Sequence, residues 1–346
     1  MLAFERVDPR SAFTDGVWTG PWWRAGFDFE RVVASWNAAT PVGSSLKIEL
    51  QAGGPAGESG WYALGLWSFD DATTRRTSVA GQRDRHGAVE VDTFVAAEPL
   101  ERYRLRVTRT GSDAGVPEVR LFGAIASAGT GAIRNEIPSE PGVRGVELAV
   151  PSYSQRIHAG EYPEFGGGGE AWCSPASTAM VVAFWAAGPS ADELAWVDPA
   201  YSDPCVDHAA RFTFDHAYGG TGNWPFNTAY AAHYGLDAFV TRLRSLREAE
   251  LFVAAGIPLV ASITAGPGDL DGFPIADGTA GHLVVIAGFT PAGDPVVNDP
   301  AGESNATVRR VYDRAQFEQA WLRGSGGVVY VISQPGVELP PSLGNW

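Results

Sequence analysis

The spacing of apolar residues divides the chain into two regions. Over residues 1–127, apolar positions come in short alternating or β-rich runs, at 27–36, 45–51, 61–67, 89–95, 102–108 and 118–124. Loops such as Ala52-Gly53-Gly54-Pro55-Ala56-Gly57 separate them. Alternation is the period of a strand with one buried face, and this rhythm of strands and turns predicts an antiparallel β-sandwich. Residues 128–147 include Ala128-Gly129-Thr130-Gly131 and Ile137-Pro138-Ser139-Glu140-Pro141-Gly142 and read as a linker. From residue 148 onward the period changes. Ala176, Ala179, Met180, Ala183, Phe184 and Ala187 recur at helical spacing and predict one apolar stripe, with Ser174 as N-cap and Gly188-Pro189 as the stop. Further helices are predicted at 192–197, from Asn223 to Gly235, from Ser245 to Gly256, and after Asp313. Strands are predicted at 257–264, 281–289, 295–300, 308–312 and 328–333, with loops at 203–208 and 265–280. Helices first and strands later make this an α+β unit with a cleft where the two halves meet.

Candidate chemistry sits on three of these elements. Cys173 lies at the predicted helix start, where the positive end of the helix dipole and free N–H groups favour a thiolate. His282 stands at the mouth of the apolar run 281–289, and Asp299 ends the strand that follows the Pro291-Ala292-Gly293-Asp294 turn. Antiparallel pairing about that turn brings His282 beside Asp299. A nucleophilic thiol needs a base, and the base needs a group that fixes its tautomer.

Gln155, Trp172-Cys173-Ser174-Pro175, Gly281-His282 and Asn298-Asp299-Pro300 together resemble the papain-like cysteine peptidases of family thirty-nine, the bacteriocin-leader peptidase type. The resemblance is closer still to actinobacterial proteins that join such a domain to an N-terminal β-domain. It implies a β-sandwich accessory domain over 1–127, the linker, and a papain-like peptidase domain over 148–346. It also implies Cys173 as nucleophile, His282 as base, Asp299 as its orienting residue and Gln155 as oxyanion-hole donor. The similarity extends through Asp215, Tyr218, Gly222, Asn223, Trp224 and Pro225, so Trp172, Asn223, Trp224 and Asn298 are expected at the substrate cleft. The expected activity is hydrolysis of peptide or related amide bonds through a thioacyl-enzyme. A transglutaminase-like acyl transferase could use the same triad with an amine acceptor, and a non-catalytic glycan- or protein-binding chain could keep only the architecture.

Composition narrows the partners. A net charge of −15 and a pI near 4.8 disfavour nucleic acid and anionic membranes, which would be repelled before contact. No apolar run is long enough to span a bilayer, and no export signal opens the chain, so it is expected to be either cytoplasmic or secreted with its leader removed. The expected partner is a peptide or protein, with glycan contact through the first domain as an addition. Six of twelve tryptophans, Trp18, Trp22, Trp23, Trp36, Trp61 and Trp67, lie in the first region and are read mainly as core. The Asp203 to His216 stretch offers ligand-type side chains, yet no second close pair completes a tetrahedral set, and no metal or cofactor is expected. His158 and His233 read as surface or helix-face residues. A Cys173–Cys205 bridge is the alternative that would remove the nucleophile.

Overall fold

A computed structural model describes residues 1–10, 13–129 and 138–346. The linker expectation at 128–147 falls partly on 130–137, outside the described residues. The architecture is α+β. Its first region holds β1 (Leu2–Val7), β2 (Val17–Thr19), β3 (Phe29–Ala39), β4 (Ser45–Gly54), β5 (Gly57–Trp67), β6 (Gly87–Glu90), β7 (Thr93–Leu100), β8 (Arg102–Thr110) and β9 (Glu118–Ser127). They form two antiparallel sheets, in the orders β1-β9-β3-β7-β6 and β2-β8-β4-β5. The run at 89–95, expected as one strand, is the turn of the β6–β7 hairpin, with Val91 at φ 57°. The expected loop at 52–57 is mostly strand as well, because Gly54 pairs with Gly57 across a two-residue turn.

The second region contains β10 (Val146–Glu147), α1 (Cys173–Phe184), α2 (Ala191–Leu194), α3 (Pro204–Thr213), α4 (Trp224–His233), β11 (Asp237–Arg242), α5 (Leu246–Ala254), β12 (Leu259–Ala265), β13 (Thr279–Phe289), β14 (Pro295–Asn298), α6 (Asn305–Val308), β15 (Arg309–Val311), α7 (Arg314–Gly324) and β16 (Val328–Ser333). One antiparallel sheet runs β11-β16-β12-β13-β14-β15, and β10 adds to β13. Residues 203–208 open α3 rather than a polar loop: Pro204 suits a first helical turn, and Val206, Ala209, Ala210 and Thr213 are buried at helical spacing. The Ser245 capping box does not form; Glu248 accepts from the Arg244 backbone N–H instead. β11 has no counterpart among the predicted strands and pairs with β16.

The two regions share a core. α4 and β11 pack on β3, whose residues from Val32 to Ala38 are buried without the alternation of a one-sided strand. Phe226 of α4 lies 6.1 Å from Trp36 and 5.4 Å from Trp67 between ring centroids. Gly65 makes room for it, since a Cβ there would stand 3.2 Å from the Phe226 ring. Polar contacts flank this wedge: the fully buried Arg76 guanidinium donates to the carbonyls of Phe214 and Arg211, and the Ser78 N–H to Asp215 Oδ1. Phe226→Ala should therefore cost about 3–5 kcal/mol of stability. Denaturant unfolding followed separately by sheet and helix signals should show both regions weakened together.

Candidate active site

α1 starts at Cys173, two residues before the expected position, with Trp172 as N-cap. Ser174 is not the cap. Its hydroxyl meets the Tyr330 hydroxyl at 2.9 Å. Ser177 donates to the Leu283 carbonyl at 3.0 Å, and Thr178 to Asn227 Oδ1 at 3.1 Å. α1 is thus buried from Ser174 through Val182 on every side, not along one stripe, and its hydroxyls find partners on β16, β13 and α4. The Ser177 bond ties the helix that begins at Cys173 to the residue directly after His282.

The β13–β14 hairpin delivers His282 and Asp299 as its register requires, with Val285 opposite Asn298 and Phe289 opposite Pro295. His282 Nε2 lies 2.7 Å from Asp299 Oδ1, which leaves Nδ1 for the thiol. The same Oδ1 accepts the Ala301 N–H at 2.9 Å, and Oδ2 accepts the Tyr312 hydroxyl at 2.6 Å. Burial would lower the His282 pKa, but Asp299 and the thiol overcome it and hold the imidazolium up to about 10. Burial likewise works against the Cys173 thiolate, and contact with the His282 ring outweighs it, so the thiol sits below its ordinary 9.0. Asp299 is held below the usual carboxylate range despite burial, by His282, Tyr312 and the Ala301 N–H. These directions all favour charge separation between the thiol and the imidazole, with an ionised carboxylate behind them. Both cysteines are free, so no bridge competes for the sulfur.

Sequence reading missed Tyr312, whose only signal was its place after an apolar strand beside the Asp299 hairpin. Tyr312→Phe removes a hydrogen bond to a buried charge, worth about 1.5–3 kcal/mol. Urea unfolding at neutral pH should show a loss of that size.

Gln155 opens a short 3₁₀ turn, Gln155–His158. Its backbone N–H donates to the Pro300 carbonyl at 2.8 Å, and the Ser154 N–H to Asn305 Oδ1 at 2.7 Å, so this segment is fastened to the loop after Asp299. Gln155 Nε2 donates to the carbonyls of Gly169 and Glu170, at 3.0 and 2.9 Å. The four glycines at 166–169 do not let the chain wander. A Cβ on Gly169 would lie 2.3 Å from the Gln155 carbonyl oxygen, so the absence of a side chain permits the close approach that holds the glutamine.

Cys173, His282 and Gln155 line one cleft of about 800 Å³. Tyr218, Gly222 and Trp224 form part of its wall, and Thr279, Ala280 and Gly281 of the glycine-rich segment another. The β6–β7 turn, Glu90 to Thr93, contributes a wall from the first region, and Asp92 Oδ2 accepts the Trp224 N–H at 2.8 Å. Of the four residues expected at the cleft, Trp224 lines it. Trp172 is fully buried and donates to the Phe165 carbonyl; Asn223 caps α4 and donates to Asp215; Asn298 donates to the carbonyls of Val150 and Pro151. The structure does not place these three on the cleft lining.

The remaining polar residues separate. His208 meets the Tyr230 hydroxyl at 3.1 Å, Asp215 serves Ser78 and Asn223, and His216 faces Asp71 at 3.1 Å. Burial pushes the Cys205 thiol up to about 11. His233 ends α4 half-buried on a helix face, stacked on Phe69 with centroids 3.4 Å apart. One expectation needs correction: His158 is fully buried beside Glu161 and Asp207, because the 3₁₀ turn and α3 close over it. These three are the ligand-type side chains that gather within 4.8 Å of one another among the described residues. Trp18, Trp36 and Trp67 are core, whereas Trp22 and Trp61 stack against Arg102, Arg104 and Arg106 on the outer sheet face. Among the described residues, no helix is long and apolar enough to cross a membrane.

Comparison with known families matches residues 4–127 to the Peptidase C39 N-terminal domain and residues 147–328 to the Peptidase C39 like family. No curated protein and no solved structure matches the chain.

Proposed function

Because the chain belongs to the Peptidase C39 like family, we propose that it is a cysteine peptidase cleaving peptide or related amide bonds in the cleft beneath the N-terminus of α1. The observation that carries this reading is the chain of hydrogen bonds from imidazole to carboxylate to tyrosine hydroxyl, with the Cys173 thiol and the His282 ring lining the same cleft, which is large enough for a peptide segment.

His282 takes the Cys173 proton, and the thiolate attacks the amide carbonyl carbon. The oxyanion receives the Cys173 backbone N–H and one Gln155 Nε2–H, redirected from the carbonyls it serves in the free protein. The imidazolium returns its proton to the leaving amine, the C–N bond breaks, and a thioester remains on Cys173. Water deprotonated by His282 then releases the carboxylic acid and restores the thiol. Asp299 keeps Nε2–H pinned, so Nδ1 faces the sulfur throughout.

The direct test is incubation of the full chain with a mixed peptide pool and mass spectrometry of the products. Hydrolysis adds the mass of one water across each cut, while an acyl transferase supplied with an amine yields the amide adduct instead. Intact peptides after long incubation of folded protein would count against both chemistries. Gln155→Ala should lower kcat by about 10²–10³ with a small change in KM, since its bond matters most in the transition state.

A further inference from the structure

His158, Glu161 and Asp207 form a cluster away from the catalytic cleft. His158 Nδ1 lies 2.7 Å from Glu161 Oε2 and 3.4 Å from Asp207 Oδ2. His158 and Asp207 have no exposed surface, and Glu161 retains 8%. Protein contacts leave much of this cluster unsatisfied. Both Asp207 carboxylate oxygens and His158 Nε2 are buried with no hydrogen-bond partner. A buried carboxylate normally accepts several donors or binds a cation, and here two carboxylates converge on one imidazole.

We propose that His158, Glu161 and Asp207 bind a divalent transition cation, Zn²⁺ or Mn²⁺, through an imidazole nitrogen and two carboxylate oxygens. Charge supports it, since two carboxylates and a neutral imidazole offset the charge of one divalent ion. Donor type supports it too, because mixed nitrogen and oxygen ligands suit these metals, whereas Ca²⁺ wants six to eight oxygens. A tetrahedral ion with bonds of about 2.0–2.2 Å spaces its ligand atoms about 3.4 Å apart, the separation of His158 Nδ1 from Asp207 Oδ2, and requires the 2.7 Å contact with Glu161 Oε2 to open as the ion enters. Glu161, the one member of the cluster that retains any exposed surface, marks the entry path.

The site's place in the fold gives it a task. Glu161 follows the 3₁₀ turn that carries Gln155, and Asp207 belongs to α3, which packs on α1. A bound ion fastens the Gln155 segment to the helical half, closing a long stretch of chain. This role is structural and independent of the peptidase reading.

The test strips the full chain with EDTA, incubates it with ZnCl₂ or MnCl₂, removes excess by gel filtration, and measures bound metal and Tm. All arms carry Cys173→Ala, because a thiol and imidazole in the cleft can themselves hold Zn²⁺. The expected result is one retained equivalent of either metal and a Tm several degrees above the stripped protein, with both lost in Asp207→Asn. If Asp207→Asn does not fold, Glu161→Gln at the least buried ligand answers the same question. Retention of less than a tenth of an equivalent, or full retention after these substitutions, overturns the proposal.

Discussion

Cys173→Ala is expected to remove peptide cleavage to background, a loss on the order of 10⁶-fold, while leaving the fold intact. The size of the effect follows from the role assigned: no other thiol enters the cleft, and a hydroxyl or water held there has no comparable nucleophilicity at neutral pH. The fold survives because the polar atoms that seat α1 belong to Ser174, Ser177 and Thr178, not to the sulfur. Circular dichroism of the variant should overlay the parent, and peptide turnover should vanish. A variant that still cleaves would move the chemistry to another residue.

The second large effect is at Asp299. Asp299→Ala takes the partner from His282 Nε2, the Tyr312 hydroxyl and the Ala301 N–H at once. Breaking a buried, hydrogen-bonded ion pair from one side costs about 3–5 kcal/mol. Turnover should fall by about 10⁴, since the imidazole loses both its orientation and its stabilised charge. Asp299→Asn keeps an oxygen that can accept from Nε2–H and should retain more activity. Its distinctive mark is in pH dependence. Under the proposed mechanism the parent requires Cys173 deprotonated and His282 protonated, so its activity should rise through a thiol pKa below 9.0 and fall as His282 loses its proton near 10. Asp299→Asn should draw that alkaline limb downward. Stability follows the same linkage. The imidazole binds its proton more tightly folded than unfolded, so its contribution is complete below the ordinary 6.5 and fades as pH rises through about 10.

Much of the site was legible in the chain because each catalytic candidate sits at an element boundary. A turn with proline and glycine between two apolar runs predicts a hairpin, and pairing Val285 with Asn298 brings Asp299 to within two positions of His282 along the neighbouring strand, near enough for the side chains to meet. The sulfur at a helix start was similarly readable, although the cap was displaced to Trp172 because Ser174 was recruited by Tyr330. What sequence could not show depends on distant contacts. Tyr312 becomes a partner of Asp299 only after β15 pairs with β14. His158 has no nearby partner in sequence apart from Glu161, and its burial arises when α3 brings Asp207 across the fold. The β6–β7 turn looked like a strand because Val89, Val91 and Val95 carry β-branched side chains, yet Val91 adopts a positive φ and the turn becomes a cleft wall. The shared core around Phe226 was invisible for the same reason, since a helix's partner surface is not written in its own period.

The central claim is that His282 holds Cys173 as a thiolate, and the rate of iodoacetamide alkylation at Cys173 against pH tests it most directly. Cys205, whose thiol is pushed up to about 11, serves as the internal reference. Peptide mapping should show Cys173 reacting with a midpoint below 9.0 while Cys205 stays unmodified until far more alkaline pH. His282→Ala should shift the Cys173 midpoint above 9.0. A Cys173 midpoint at or above 9.0 in the parent, unchanged by His282→Ala, would contradict the account.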